Sequence, residues 1–206
     1  MDKIDFKKEF KNLYNPSSKN VEVVEVPAFN YLMVDGKGNP NTSQEYRNAI
    51  EALYAVSYTL KFMVKKGEQA VDYCVLPLEG LWWADDMNAF IAGDKDSWKW
   101  TSMIMQPGSL ITDALVASAI EVVKKKKNPA ALAKIRFGVF NEGLAVQIMH
   151  LGPYSAEKST VEKLHVFMRE KGFETNGKHH EIYLSGQSKS TPEKMKTVVR
   201  QAVRNK

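Results

Sequence analysis

The sequence predicts an α+β fold: a duplicated strand–helix–strand–strand module, with an antiparallel sheet, helices on one face and a ligand cleft between two pseudo-symmetric halves. Three observations predict it. Apolar spacing switches repeatedly between period 2 and period 3.6 along the chain. The run "YLMVDGKGNP", a long helix, "KKG" and "DYCVLPLEG" is followed, in the same order, by "AVQIMHLGPY", a helix, "EKG" and "HHEIYLSG". Finally, 206 residues at 44% hydrophobic composition suit one domain with a sizeable core, its halves spanning about 21–127 and 135–206.

"DFKKEFKNLY" spaces Phe6, Phe10, Leu13 and Tyr14 as a helix, and "NPSSKN" ends it. "VEVVEVPAFNYLMVDG" reads as two strands split by Pro27. Ser43 is an N-cap for a helix over about 44–64, with Ala49, Leu53, Val56, Leu60 and Val64 on its inner stripe and Gly67 beyond its end. "VDYCVLPL" is the next strand, "EGLWWADDMNAFIAGDKD" a long connection and "SWKWTSMIMQ" a strand. An alanine-rich helix follows over about 110–127. "IRFGVF" and "LAVQIMHLG", around a turn at Asn141–Gly143, carry a hairpin signal. "PYSAEKSTVEKLHVFMREKG" is a helix and "HHEIYLSG" a strand. "STPEKMKTVVRQAV" closes as a helix, with Thr191 as N-cap and Pro192 in its first turn.

Composition narrows the function classes. No apolar run is long enough to span a bilayer, and "MDKIDFKKEFKNLY" lacks the apolar centre of a signal peptide. Cys74 is the only cysteine, so a disulfide framework is excluded and a reducing, cytoplasmic location is expected. The net charge of +5 concentrates in Lys124–Lys127 and in the C-terminal stretch, both read as solvated helix ends rather than a nucleic-acid footprint. Neither nucleic acid nor a membrane is expected as a partner. The 20 residues before the first strand are too few for a helix-turn-helix.

Period-2 alternation then sorts the strand residues into faces. Ile182 and Leu184 are read as lying under the helices, which leaves His179, Glu181 and Tyr183 on the other face. The same sorting puts Tyr31, Met33, Tyr73, Glu79, Gln147 and Met149 on that non-helix face, with Trp82 and Trp100 as candidate walls. Aromatics and flexible methionines around a few polar groups are pocket material. A carboxylate there loses hydration, so the Glu181 pKa is expected to rise. The tryptophans read equally well as core. "HHE" offers two ligands without a second cluster, so no metal is expected. No cofactor motif is present: "DGKGNP" lacks the lysine–hydroxyl ending of a phosphate loop and reads as a turn. Cys74, on the core side without a placed histidine, is not read as a nucleophile.

"VPAFNYLMVDGKGNPN", "EALYAVSYTLKF", "DYCVLPLEGLWW", "LGPYS" and "HHEIYLS" together resemble the stand-alone branch of the GyrI-like small-molecule-binding family, related to the effector-binding domains of AraC-type and MerR-type regulators. The resemblance runs from about Val21 to Ser185, as a single domain over 1–206. It implies a ligand cleft with an acidic residue, a role that falls on Glu181, and bulky, cationic or planar ligands between aromatic walls. Some stand-alone members are similar to enzymes that hydrolyse the spirocyclopropane of DNA alkylators. Relatives often continue the last motif as "LSDP" where this chain has "LSGQ", a departure that touches the exit loop and not Glu181.

Three functions follow as expectations. A cyclopropane hydrolase would use Glu181 as general base on water, with Tyr183 or Tyr154 donating to the developing oxyanion. A non-catalytic module would hold a drug cation against Glu181 and the aromatics. A gyrase-inhibitor-like interaction protein would need a partner-facing surface that the sequence does not reveal.

Overall fold

Each repeat folds as a four-stranded antiparallel sheet with a long helix on it, and each sheet takes its fourth strand from the stretch of chain that leads into the other repeat. The computed structural model describes residues 3–86, 94–185 and 191–206. The chain divides into two units, Met1–Phe6 with Phe29–Phe140, and Lys7–Ala28 with Asn141–Lys206. It opens on two single helical turns, α1 (Phe6–Glu9) and α2 (Lys11–Tyr14), where one continuous helix is expected.

The first unit contains β2 (Phe29–Lys37), α3 (Gln44–Lys66), β3 (Leu78–Trp83), β4 (Lys99–Gln106), α4 (Asp113–Lys126) and β5 (Arg136–Phe140). Its sheet order is β3-β4-β2-β5. Helix α3 starts where Ser43 Oγ accepts from the Tyr46 amide at 3.2 Å, and it buries Ala49, Leu53, Val56, Leu60 and Val64. Its contact face on the sheet includes Leu32, Val34 and Ile104, all 0% exposed. The strand expected over 71–78 begins later, at Leu78, because Pro77 has no amide to donate. "EGLWW", expected in the connection, is strand; the rest of that connection, 87–93, lies outside the described residues.

The second unit contains β1 (Glu22–Val26), β6 (Gly143–Leu151), α5 (Lys158–Glu170), β7 (Phe173–Tyr183) and β8 (Lys196–Asn205), in the order β7-β8-β6-β1. The α+β module is therefore present twice, as β2-α3-β3-β4 and β6-α5-β7-β8. The expected β5–β6 hairpin does not form. β5 pairs with β2, and β6 lies between β1 and β8. Strand β1, which the repeat reading places in the first half, completes the second sheet.

The C-terminal helix is a correction. Thr191 and Pro192 do start a helical turn, but it stops after Pro192–Lys194 and the chain continues as β8. β8 is central and buried on both faces, so "TVVRQAV" shows no polar–apolar alternation. Its β-branched run Thr197, Val198, Val199 suits a pleated strand. Helix α5 covers one face of this sheet, where Val146, Ile148, Val199 and Val203 meet Leu164 and Met168. Each such side chain contributes about 1.5–3 kcal/mol on burial.

The opposite face of the second sheet is also buried. There Glu142 accepts from Arg200 at 3.1 Å and holds the His180 ring, 3.0 Å from each carboxylate oxygen. Arg200 also donates to Gln147 at 3.0 Å and to the Leu13 carbonyl at 2.8 Å, and Gln147 donates to the Asn12 carbonyl at 2.6 Å. Arg200, in the stretch read as a solvated helix end, is instead buried with its carboxylate. Among the described residues no helix is long and apolar enough to cross a membrane.

Candidate functional site

The direct pairing of β6, β8 and β7 determines which side chains share a face. Ile148 pairs with Val199 and Val199 with Glu181; His150 pairs with Thr197 and Thr197 with Tyr183. Since Ile148 and Val199 carry helix α5, Glu181 and Tyr183 lie on the helix side of the sheet. This reverses the expected sidedness. Ile182 points the other way and is still 1% exposed, because the face away from α5 is buried too. Alternation shows which residues face together; it cannot name the covered side when both sides are covered.

The turn "LGPYS" delivers the rest of the site. Gly152 takes φ +128, a conformation that L side chains rarely adopt. His150 locks the turn: its Nε2 lies 3.2 Å from the Pro153 carbonyl and its Nδ1 2.8 Å from Thr160 Oγ1. A carbonyl only accepts, so Nε2 carries the proton shared with Pro153. The turn brings the Tyr154 ring edge-on to Tyr183, with centroids 5.6 Å apart. Three residues on, Glu157 stands at the N-terminal end of α5, 7% exposed.

Glu181 is the centre of this cluster. Tyr183 donates its hydroxyl proton to Oε2 at 2.7 Å, and His179 Nε2 lies 3.2 Å from Oε1. The side chain of Glu157 also acts on it and helps lower its pKa. The expected rise in the Glu181 pKa is also corrected. Burial does push the carboxyl up, but the hydrogen bond and charge of His179, then the hydrogen bond of Tyr183 and the side chain of Glu157, outweigh it and hold the group below its ordinary value. The Glu181 side chain remains 15% accessible and that of His179 11%. His165, on α5, is held below its ordinary value, mainly by burial, then by the charges of His179 and Arg169.

Of the expected site residues, the structure gathers Glu181, Tyr183, Tyr154 and His179. Gln147 and Met149 belong to the same unit but face away from α5. In the first unit, Tyr31, Met33 and Glu79 share the face away from α3, where the Tyr31 hydroxyl donates to Glu79 at 3.3 Å. Tyr73 is outside the strands, bridged to Ile4 and edge-on to Phe6. Trp82 and Trp100 face α3 and close on Tyr46, with centroids 5.7 and 5.1 Å from its ring. Among the described residues no His, Cys, Asp and Glu group is arranged to hold a metal. The continuation "GQ" of the last motif lies outside the described residues.

Two residues of the cluster were not anticipated. Glu157 follows Tyr154 at the i+3 spacing of one helix face, a signal legible in "YSAE". Thr197 was hidden by the helical reading of its segment.

The model of the GyrI-like small molecule binding domain matches residues 19–202. No curated protein sequence matches the chain. Among solved structures, an uncharacterized conserved protein from Listeria innocua is 45% identical, with a TM-score of 0.90 over 98% of this chain and all of that one. A hydrolase from Listeria innocua is 43% identical, with a TM-score of 0.85 and the same coverage. The C-terminal domain of EcmrR shares the fold alone, at 12% identity and a TM-score of 0.57, covering 91% of this chain and 98% of that one.

Proposed function

This chain belongs to the GyrI-like small molecule binding domain family, and we propose that it hydrolyses bulky aromatic electrophiles, cyclopropane-bearing alkylators among them, with Glu181 as the base. The observation that carries this reading is a part-buried carboxylate, its side chain 15% accessible, held by a tyrosine hydroxyl at 2.7 Å and flanked by a histidine at 3.2 Å. A carboxylate oriented by fixed partners is a preorganised acceptor for a proton from water. In the reaction, the water oxygen bonds to the strained methylene carbon. The ring C–C bond to that carbon breaks, and its electron pair runs through the conjugated system to the carbonyl oxygen. Glu181 takes the water proton.

The Tyr183 hydroxyl proton already points at Glu181, so Tyr183 positions the base. Tyr154, whose ring stands against Tyr183, is the candidate donor to the developing oxyanion. The 43% identical hydrolase supports turnover. Mass spectrometry of a cyclopropane-bearing alkylator mixed with substoichiometric protein should find complete conversion to the water adduct, and none with Glu181→Gln. Intact compound from the wild type, or undiminished conversion by the variant, refutes the assignment.

Binding without turnover is the second reading, favoured by the lowered pKa of Glu181, which suits a standing negative charge facing a cationic ligand between tyrosines. It predicts that a bulky organic cation binds the wild type and not Glu181→Gln, with no water adduct formed.

A further inference from the structure

The face that carries Glu181 continues into a row of side chains with an unused donor. His150, Thr197 and Tyr183 lie side by side across β6, β8 and β7, two residues along from the row of Ile148, Val199 and Glu181. All three therefore share the α5 side of the sheet with Glu181. Thr197 is 1% exposed, and its hydroxyl has no hydrogen-bond partner. Its neighbours are engaged elsewhere: the Tyr183 hydroxyl donates to Glu181 at 2.7 Å, and His150 Nε2 donates to the Pro153 carbonyl at 3.2 Å. A buried hydroxyl without a partner destabilises the ligand-free protein, and a ligand oxygen that accepts its proton removes that cost. We propose that Thr197 is a ligand-binding residue of this site. Its hydroxyl donates to an oxygen of the ligand, so the site takes molecules with a carbonyl or similar acceptor oxygen set apart from the atom that Glu181 acts on.

The strand order gives this oxygen its place. β8 lies between β6 and β7, with about 4.7–4.9 Å from each strand to the next. Tyr154 leaves the end of β6 through the Gly152 turn, yet its ring stands against Tyr183 on β7. The span crosses β8 on the face of Thr197, which accounts for the burial of that hydroxyl. Tyr154 is itself only half-buried. A ligand oxygen thus reaches Thr197 by displacing the Tyr154 ring. Glu181 pairs with Val199, two residues from Thr197, so base and donor are diagonal neighbours about 7–8 Å apart. That separation suits two ends of one ligand rather than one atom. The other repeat supplies the contrast. Its corresponding row is Gly36, Trp100 and Trp82, where a Cβ on Gly36 would lie 2.3 Å from Trp100. Gly38 and Gly152, each two residues further on, both take positive φ, which supports the correspondence. Where the first unit packs an indole, the second places a small hydroxyl.

The catalytic consequence rests on the hydrolytic reading; the binding role does not. As the ring bond breaks, negative charge moves to the carbonyl oxygen, and Thr197 is a second donor to that oxygen beside Tyr154. The hydroxyl keeps its proton, and the hydrogen bond it donates strengthens as the charge grows.

The test compares Thr197→Val, which keeps the shape of the side chain and removes the hydroxyl, with Thr197→Ser, which keeps the hydroxyl. Ligand-free Thr197→Val should unfold at the same urea concentration as the wild type or a higher one, since no partner is lost with the hydroxyl. A lower midpoint means that the hydroxyl has a partner in the protein, and overturns the proposal. On a cyclopropane-bearing alkylator that the wild type converts, Thr197→Val should lower kcat about 10²–10³-fold and raise KM by no more than about 10-fold. Thr197→Ser should retain most of the wild-type rate. Equal kcat in the wild type and Thr197→Val overturns the role of Thr197 and leaves Glu181 as the base. Where the wild type binds the compound without converting it, the hydrolytic reading fails, and calorimetry decides the binding role. Affinity weakened about 2–10-fold in Thr197→Val and restored in Thr197→Ser supports it, and equal affinity in Thr197→Val overturns it. A wild type that neither converts nor binds the compound overturns the role of Thr197 as well.

Discussion

Glu142→Gln should destabilise the protein by about 3–5 kcal/mol at neutral pH, since it strips the counter-charge from Arg200 and the partner from His180, 2% and 0% exposed. Burial pushes the Glu142 carboxyl up, but the charges of His180 and Arg200 and their hydrogen bonds overcome it and lower the pKa from 4.5 to about 2. At about 1.4 kcal/mol per pKa unit, that depression is on the order of 3 kcal/mol. A lowered pKa means that this stability is fully present above the unfolded value of 4.5 and is lost as pH falls toward about 2. Acid thus does to the wild type what the substitution does at neutral pH. Urea titrations of both proteins from about pH 7 to about pH 3 should show a midpoint gap that closes as the pH drops. A gap of constant size across that range would falsify the account, because the carboxylate would then carry no pH-linked stability.

Two further outcomes are expected. Tyr183→Phe removes the 2.7 Å donor to Glu181, so the Glu181 titration should move up in pH in a carboxyl-carbon NMR experiment, and no movement would mean the hydroxyl does not serve that charge. Gly36→Ala places a methyl 2.3 Å from the Trp100 ring and should cost about 1–3 kcal/mol in urea unfolding, part of it recovered by adding Trp100→Leu; a neutral Gly36→Ala would show that the indole has room to shift.

The long helices were legible because their signals are local. Ser43 accepts the amide of Tyr46 at the start of α3, and Ala49, Leu53 and Leu60 recur at helical spacing. The grouping of His179, Glu181 and Tyr183 was legible for the same reason, since alternation within one strand depends on no other part of the chain. "LGPYS" pointed to Tyr154 through a turn that only glycine enters easily.

Pairing is different in kind. β5 and β6 are joined by the short link at Asn141–Glu142, yet each finds its partners far along the chain, and a turn signal carries no information about a competing distant strand. β8 reads as a helix because both its faces are buried, which erases the alternation that marks a half-exposed strand. That misreading hid Thr197 and left Arg200 on a solvated helix end, when the fold sets it against Glu142.

The residues alone are enough to establish the repeated module, its helices and a carboxylate in aromatic company, because each of these is written in spacing over a few positions. Folding assigned that carboxylate to the helix side of its sheet. It also brought Glu157 from the start of α5 to Glu181, and it turned the pKa shift downward. A sheet face acquires its environment from whatever covers it, and an ionisable group takes its pKa from the balance of burial against hydrogen bonds made by residues distant in sequence. Neither quantity exists until the strands have found their partners.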